Sequence, residues 1–234
     1  FYLPALDKAA IIAYNAEQDF SKAYNLYTML ERAADSDDKR FEAQLGALRS
    51  AYRLNNTSAV EQYAAKVANN PNATADQQLT ANFYLGKIAY DRQQYDRALP
   101  YFEQVIANSD NEQTAEARYL RANIYYLRRE LDRAQQLTME ANRESSGYPY
   151  WVAKSVILLA DILRDKRDLY NARAALEALL ENYNEDQEIV AEAREKLARV
   201  EAEINQTSRL NNATTNPQGN NYLELDNGNN GGRN

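Results

Sequence analysis

The feature that most constrains this chain is a small residue that keeps coming back. The stretches "FSKAYNLYTML", "TSAVEQYAAKV", "YDRALPYFEQVI", "LDRAQQLTMEA" and "LYNARAALEALL" align on Ala23, Ala59, Ala98, Ala134 and Ala172, spaced 36, 39, 36 and 38 residues apart. Four residues after each alanine comes Tyr27, Tyr63, Phe102, Thr138 or Leu176, and three before it comes Phe20, Asn56, Tyr95, Leu131 or Leu169. Spacings of three and four put these side chains on one helical face. Twelve residues before each alanine lies Ile11, Ala47, Gly86, Ala122 or Ala160, four of the five being small. Each unit therefore reads as two helices that touch at small residues. A repeat of this length, five times over, predicts an array of stacked units rather than one closed core.

Composition agrees. The only glycines before residue 207 are Gly46, Gly86 and Gly147, and alanine, leucine, glutamate, glutamine, arginine and tyrosine dominate, so the body is composed for helix rather than sheet. The fold class expected is all-α. A formal charge of -7 leaves no broad basic surface for nucleic acid. No apolar run approaches the roughly 18 residues of a membrane span, and no charged start leads into an apolar signal core.

The stretch "YLGKIAYDRQQYDRALPYFEQVI" is similar to the tetratricopeptide consensus, with Leu85 and Gly86 in the first helix and Tyr95, Ala98 and Phe102 in the second. Pro71 falls where that consensus places its closing proline. The match covers residues 5 to 204 as roughly five helix pairs, and "EIVAEAREKLARVEAEI" resembles the terminal cap such arrays carry. Asn82 and Arg121 depart from the pattern, standing where an aromatic and an aliphatic residue are usual. Pro100, in the early turns of its helix, reads as a tolerated exposed proline. The resemblance implies a right-handed α-solenoid over residues 1 to 206, with an Asn/Gly-rich tail or linker from 207 to 234. "YWVAKSVILLADILRDKRDLYNARAALEALLENY" and "FEAQLGALRSAYRLNN" resemble segments of envelope tetratricopeptide proteins of Bacteroidetes-type bacteria and, more distantly, the BamD/YfiO and YbgF/CpoB periplasmic proteins. That likeness implies a scaffold in the periplasm or at the outer membrane.

Catalysis is not expected. Without histidine or cysteine the usual zinc sets, the Cys/His and Ser/His triads and imidazole acid–base steps drop out. Asp161 and Asp165, one turn apart, could be a carboxylate pair, yet Lys154, Arg164 and Arg167 nearby favour an ion-paired face. "NGNNGG" lacks the strand-to-helix setting and the lysine of a phosphate loop. No cofactor and no metal are expected.

What remains is a surface. In tetratricopeptide arrays the first helix of each pair lines a concave groove. The candidate groove residues are Phe41, Gln44 and Tyr52; Phe83, Lys87 and Tyr90; Tyr119, Asn123 and Tyr126; and Lys154, Asp161 and Arg164. Tyrosine supplies large contact area with few torsions to freeze and a hydroxyl for a peptide backbone. The same rings could instead pack between neighbouring helices. Asn123 matches the asparagine that chaperone-binding relatives use to hold a terminal carboxylate, but Tyr119 stands where that clamp wants lysine.

Two loops add to the reading. "ESSGYPYW", residues 144 to 151, brings a turn signal followed by aromatics, with Trp151 expected to pack the fourth pair on the fifth. The tail from Thr207 holds nine asparagines and four of the seven glycines, a composition that cannot bury a core. Within it "YLEL", Tyr222 to Leu225, is expected to dock as an extended segment in a groove of its own chain or of a neighbour. The function expected is a non-catalytic scaffold that takes a protein or peptide partner in its groove. The alternative is a SusD-like glycan- or nutrient-binding helical protein whose tyrosines and Trp151 stack on sugar rings.

Overall fold

A computed structural model describes residues 2 to 215, with side chains to residue 209; the tail segment Tyr222 to Leu225 lies outside the described residues. The elements are α1 (Tyr2–Asn15), α2 (Phe20–Ala33), α3 (Asp37–Arg53), α4 (Thr57–Ala68), α5 (Ala75–Asp91), α6 (Tyr95–Asn108), α7 (Glu112–Leu127), α8 (Leu131–Glu144), α9 (Pro149–Asp165), α10 (Leu169–Asn182) and α11 (Gln187–Thr215). Each helix packs on the next in chain order. Among the described residues, substantial contact between helices two apart is confined to α5 with α7, α7 with α9 and α9 with α11. The odd-numbered helices therefore form the inner row and the even-numbered ones splay along the outside. This is a helical solenoid of five pairs followed by α11. Among the described residues no helix is long and apolar enough to cross a membrane.

Local chemistry sets the helix ends. Asp19, Ser36 and Asn56 cap α2, α3 and α4 by accepting from the backbone N–H three residues on, while Thr74 with Gln77 and Asn111 with Thr114 close reciprocal capping boxes at α5 and α7. The turn inside every pair carries one left-handed residue: Gln18, Asn55, Gln93, Arg129 and Arg167, with φ between 52 and 65°. None is glycine. The conformation is held by paired backbone bonds. Gln94 N donates to Ala89 O at 2.8 Å and Gln93 N to Tyr90 O at 2.8 Å, and the same two bonds recur after α3, α7 and α9. They satisfy carbonyls that a helix end would otherwise leave open.

These turns also fix the register. They fall 37, 38, 36 and 38 residues apart, whereas the aligned alanines give 36 and 39 for the first two intervals. Counted from the residue before each outer helix, the fourth, eighth and eleventh positions are buried: Ala98, Phe102 and Val105; Ala134, Thr138 and Ala141; Ala172, Leu176 and Leu179. In α4 those positions are Val60, Ala64 and Val67, also buried. The structural equivalent of Ala98 in the second pair is thus Val60 and not Ala59. Both are buried and adjacent, so a search for alanine settles one residue early.

At Gly86 the small position does what the spacing predicts. A Cβ on Gly86 would lie 2.8 Å from Cε1 of Phe102, a fully buried ring. Pro100 lies on the exposed side of α6, which runs unbroken to Asn108. At the far end α11 continues to Thr215, past the residue 206 at which the composition turns rich in asparagine and glycine. Thr207 and Ser208 bond back to the carbonyls of Glu203 and Ile204 and so stay compatible with helix.

Candidate partner-binding surface

From α5 to α11 the inner row is stitched by polar bonds, each joining one pair to the next. Lys87 Nζ lies 2.6 Å from Glu116 Oε1, joining α5 to α7. Beside it Asn123 Nδ2 donates to the Tyr90 hydroxyl at 2.7 Å. Between α7 and α9, Tyr126 donates to Asp165 Oδ2 at 3.2 Å, and Arg129 pairs with the same carboxylate. Between α9 and α11, Asp161 accepts from Lys196 at 2.7 Å, Lys154 faces Glu192 at 3.5 Å and Arg164 faces Glu203 at 3.3 Å. The acids Asp161 and Asp165 are therefore ion-paired, with their main partners on neighbouring elements rather than on α9.

The structure sorts the expected groove residues into three kinds. Lys87, Tyr90, Asn123, Tyr126, Lys154 and Arg164 line the inner row with their polar groups already engaged. Asn123 in particular spends its amide on Tyr90. Phe41 and Phe83 do not line it: they are 6% and 3% exposed and sit in the core, Phe83 with Ala98 and Phe102, Phe41 with Val60 and Tyr63. Gln44 is likewise buried and donates to Glu31. The reason is angular, since one residue of error turns a side chain by about 100° around the axis. Tyr119 stacks on Trp151 with ring centroids 5.7 Å apart, which joins the fourth pair to the fifth.

Tyr52 is the third kind. It is 46% exposed, and its ring lies on that of Tyr84 with centroids 4.7 Å apart and planes tilted by 31°. Beneath the two rings is a cavity of about 220 Å³ whose lining includes Val60, Ile88, Lys87 and Asp91. Asn55 and Thr57 line it as well, so the lining mixes apolar and polar groups with one charge of each sign. The sequence does not single out Tyr84, because its neighbour Phe83 occupies the aromatic position expected to face the groove.

The link between α4 and α5 runs over residues 69 to 74, whereas the other links between pairs span three or four residues. Among the described residues α3 and α5, like α1 and α3, lack the close helix packing seen between the inner helices from α5 to α11. Hydroxyls along the row stay protonated. Burial, with Tyr52 adding to it, pushes Tyr84 up to about 12; burial, then the charges of Asp161 and Asp165, push Tyr126 up to about 12. Burial also raises Tyr119 and Tyr90. Near neutral pH all four rings present O–H donors.

A scan against family models gives no match, and a search of curated proteins gives none. Among solved structures, the chain is similar to BtubC (BKLC) from P. vanneervenii at 15% sequence identity, with a TM-score of 0.56 over 92% of this chain and 94% of that one. The likeness is one of helical fold.

Proposed function

We propose that the chain is a non-catalytic interaction scaffold of tetratricopeptide type that holds a peptide segment or partner protein at the inner opening between α3 and α5. The observation that carries this reading is Tyr52. Along an inner row where Lys87, Tyr90, Asn123, Tyr126, Lys154 and Arg164 are bonded pair to pair, it is a half-exposed aromatic over a cavity large enough for a side chain. An extended peptide lying there would set an apolar side chain against Tyr84, Val60 and Ile88, and the Tyr52 hydroxyl is free for its backbone. A place in a bacterial envelope, in the periplasm or at the outer membrane, is proposed from the resemblance of residues 41 to 56 and 150 to 183 to envelope tetratricopeptide proteins.

The experiment is calorimetric titration with peptides selected from a random library against the native chain. Tyr52→Ala should weaken the selected peptides about tenfold or more, while Lys154→Ala should leave them within about twofold. Equal affinity for native and Tyr52→Ala chains would overturn the site. Stoichiometric heat with an oligosaccharide, and none with peptides, would favour the SusD-like alternative.

A further inference from the structure

The outer row of helices has a cavity of its own. Among the described residues α8 and α10 make no substantial contact with each other, and residues of α8, α9 and α10 enclose a cavity of about 440 Å³. It is interior to the array, with α7 packed before these helices and α11 after them. Val152, Val156 and Leu159 of α9 line it with Leu179 and Tyr183, and Asn142, Ser146 and Asn182 add polar groups. Among the described residues that line it none is charged.

Two alanines open this space. Counted from the residue before each outer helix, the seventh and tenth positions are Leu26 and Met29 in α2, Tyr63 and Lys66 in α4, Tyr101 and Gln104 in α6, and Leu137 and Glu140 in α8. In α10 they are Ala175 and Ala178. The long side chains of the earlier pairs are put to use. Tyr63 and Lys66 both reach Glu31 of α2, while Tyr101 and Leu137 pack against the core. Gln104 accepts from Asn82 of α5 at 3.0 Å, and Glu140 pairs with Arg121 of α7 at 2.7 Å. Ala175 and Ala178 put only methyl groups there, and both line the cavity. The volume is thus written into the fifth pair and does not follow merely from outer helices that splay.

The lining also defines what would fit. The volume falls toward the lower end of the roughly 300–1,000 Å³ of small-molecule pockets, which suits one or two rings. A charged ligand would find no counter-ion in the lining and would lose its hydration there. Asn142 sets a polar requirement: its Oδ1 is buried with no hydrogen-bond partner among the described residues, a state that a donor on the ligand would relieve. We propose that this cavity binds a compact, uncharged, mostly apolar ring compound that carries a hydrogen-bond donor for Asn142.

Indole, benzofuran and indene are the probes, because they share one shape and carry an N–H donor, a ring oxygen or neither. Calorimetric titration of the 234-residue chain should give indole a dissociation constant below about 1 mM, with the other two at least about tenfold weaker. Asn142→Ala should erase that preference. Ala175→Leu, which copies Leu137, and Ala178→Met, which copies Met29, should each weaken indole at least about tenfold and melt no lower than the native chain. Tyr52→Ala should bind indole like the native chain, which keeps this cavity apart from the inner opening. A native chain that takes up none of the three probes, binds all three equally or prefers benzofuran would overturn the proposal. So would full indole binding by both cavity-filling variants.

Discussion

The inner row is built in two ways. Between α5 and α11 successive inner helices touch directly and are joined by side chains such as Lys87 with Glu116, Tyr126 with Asp165 and Asp161 with Lys196. Between α3 and α5 the helices stand apart, and the join is a stack of two tyrosines over a cavity. The difference teaches that one surface of a repeat array can be mostly structural and locally receptive. Polar residues at groove positions are not evidence of binding when each has a partner one repeat away. An exposed aromatic over a cavity where the seam opens is a better sign of a binding place.

The comparison can be broken from the core outward. Ala98→Leu or Ala134→Leu should overpack a helix pair under the stitched part and cost about 1–3 kcal/mol, read as a lower melting temperature. Both alanines are fully buried, so an unchanged melt would mean that the pairs are looser than described. Asp165→Ala should cost less, about 1–2 kcal/mol, by leaving Tyr126 and Arg129 without their shared acceptor. The loss should fall on the α7–α9 seam, which hydrogen exchange of those two helices would show.

Titration sharpens the contrast. The Tyr126 hydroxyl is held above the ordinary tyrosine value, up to about 12, by burial and then by Asp161 and Asp165. A raised folded value favours the protonated form, so its contribution is whole below about pH 10 and is lost as pH rises toward 12. Melting temperature should therefore fall over that window, and Tyr126→Phe should flatten part of the fall; a curve identical to the native one would contradict the role given to that hydroxyl. Glu31 gives the acid counterpart in the first two pairs. Burial raises its carboxyl, but hydrogen bonds from Lys66, Gln44 and Tyr63 together outweigh that and hold it below the ordinary value. Stability from this cluster should be present above pH 4.5 and fade as pH falls further, and Glu31→Gln should remove that part of the acid dependence.

The smallest stability effect is expected at Tyr52→Ala, below about 1 kcal/mol, because the ring is half exposed and its main contact is the stack on Tyr84. That variant separates the two kinds of inner surface. It should melt almost like the native chain and yet bind poorly.

Much of this architecture was legible in the residues. The recurrent alanine with its aromatic or aliphatic partner four residues on, as in Ala98 with Phe102, gave the number of pairs and their buried face. Trp151, expected to pack the fourth pair on the fifth, stacks on Tyr119 of the fourth. Other features were hidden for physical reasons. The left-handed turns at Gln18, Asn55, Gln93, Arg129 and Arg167 are held by backbone bonds and carry no glycine, so the sequence holds no marker that tells Val60 from Ala59. Counting along a helix sets a groove position only to within a residue. Phe41 and Phe83 turn into the core, while Tyr84, one residue after Phe83, reaches the cleft. Bonds between pairs, such as Asn123 with Tyr90, join residues 33 apart and depend on curvature that no local pattern encodes.

The most direct test of the cleft is amide hydrogen exchange of the chain with and without a selected peptide. Protection confined to the end of α3 around Tyr52 and to α5 from Tyr84 to Asp91 is the result predicted. Protection spread along α7, α9 and α11, with the α3–α5 opening unchanged, would contradict the account and return the binding role to the stitched part of the inner row.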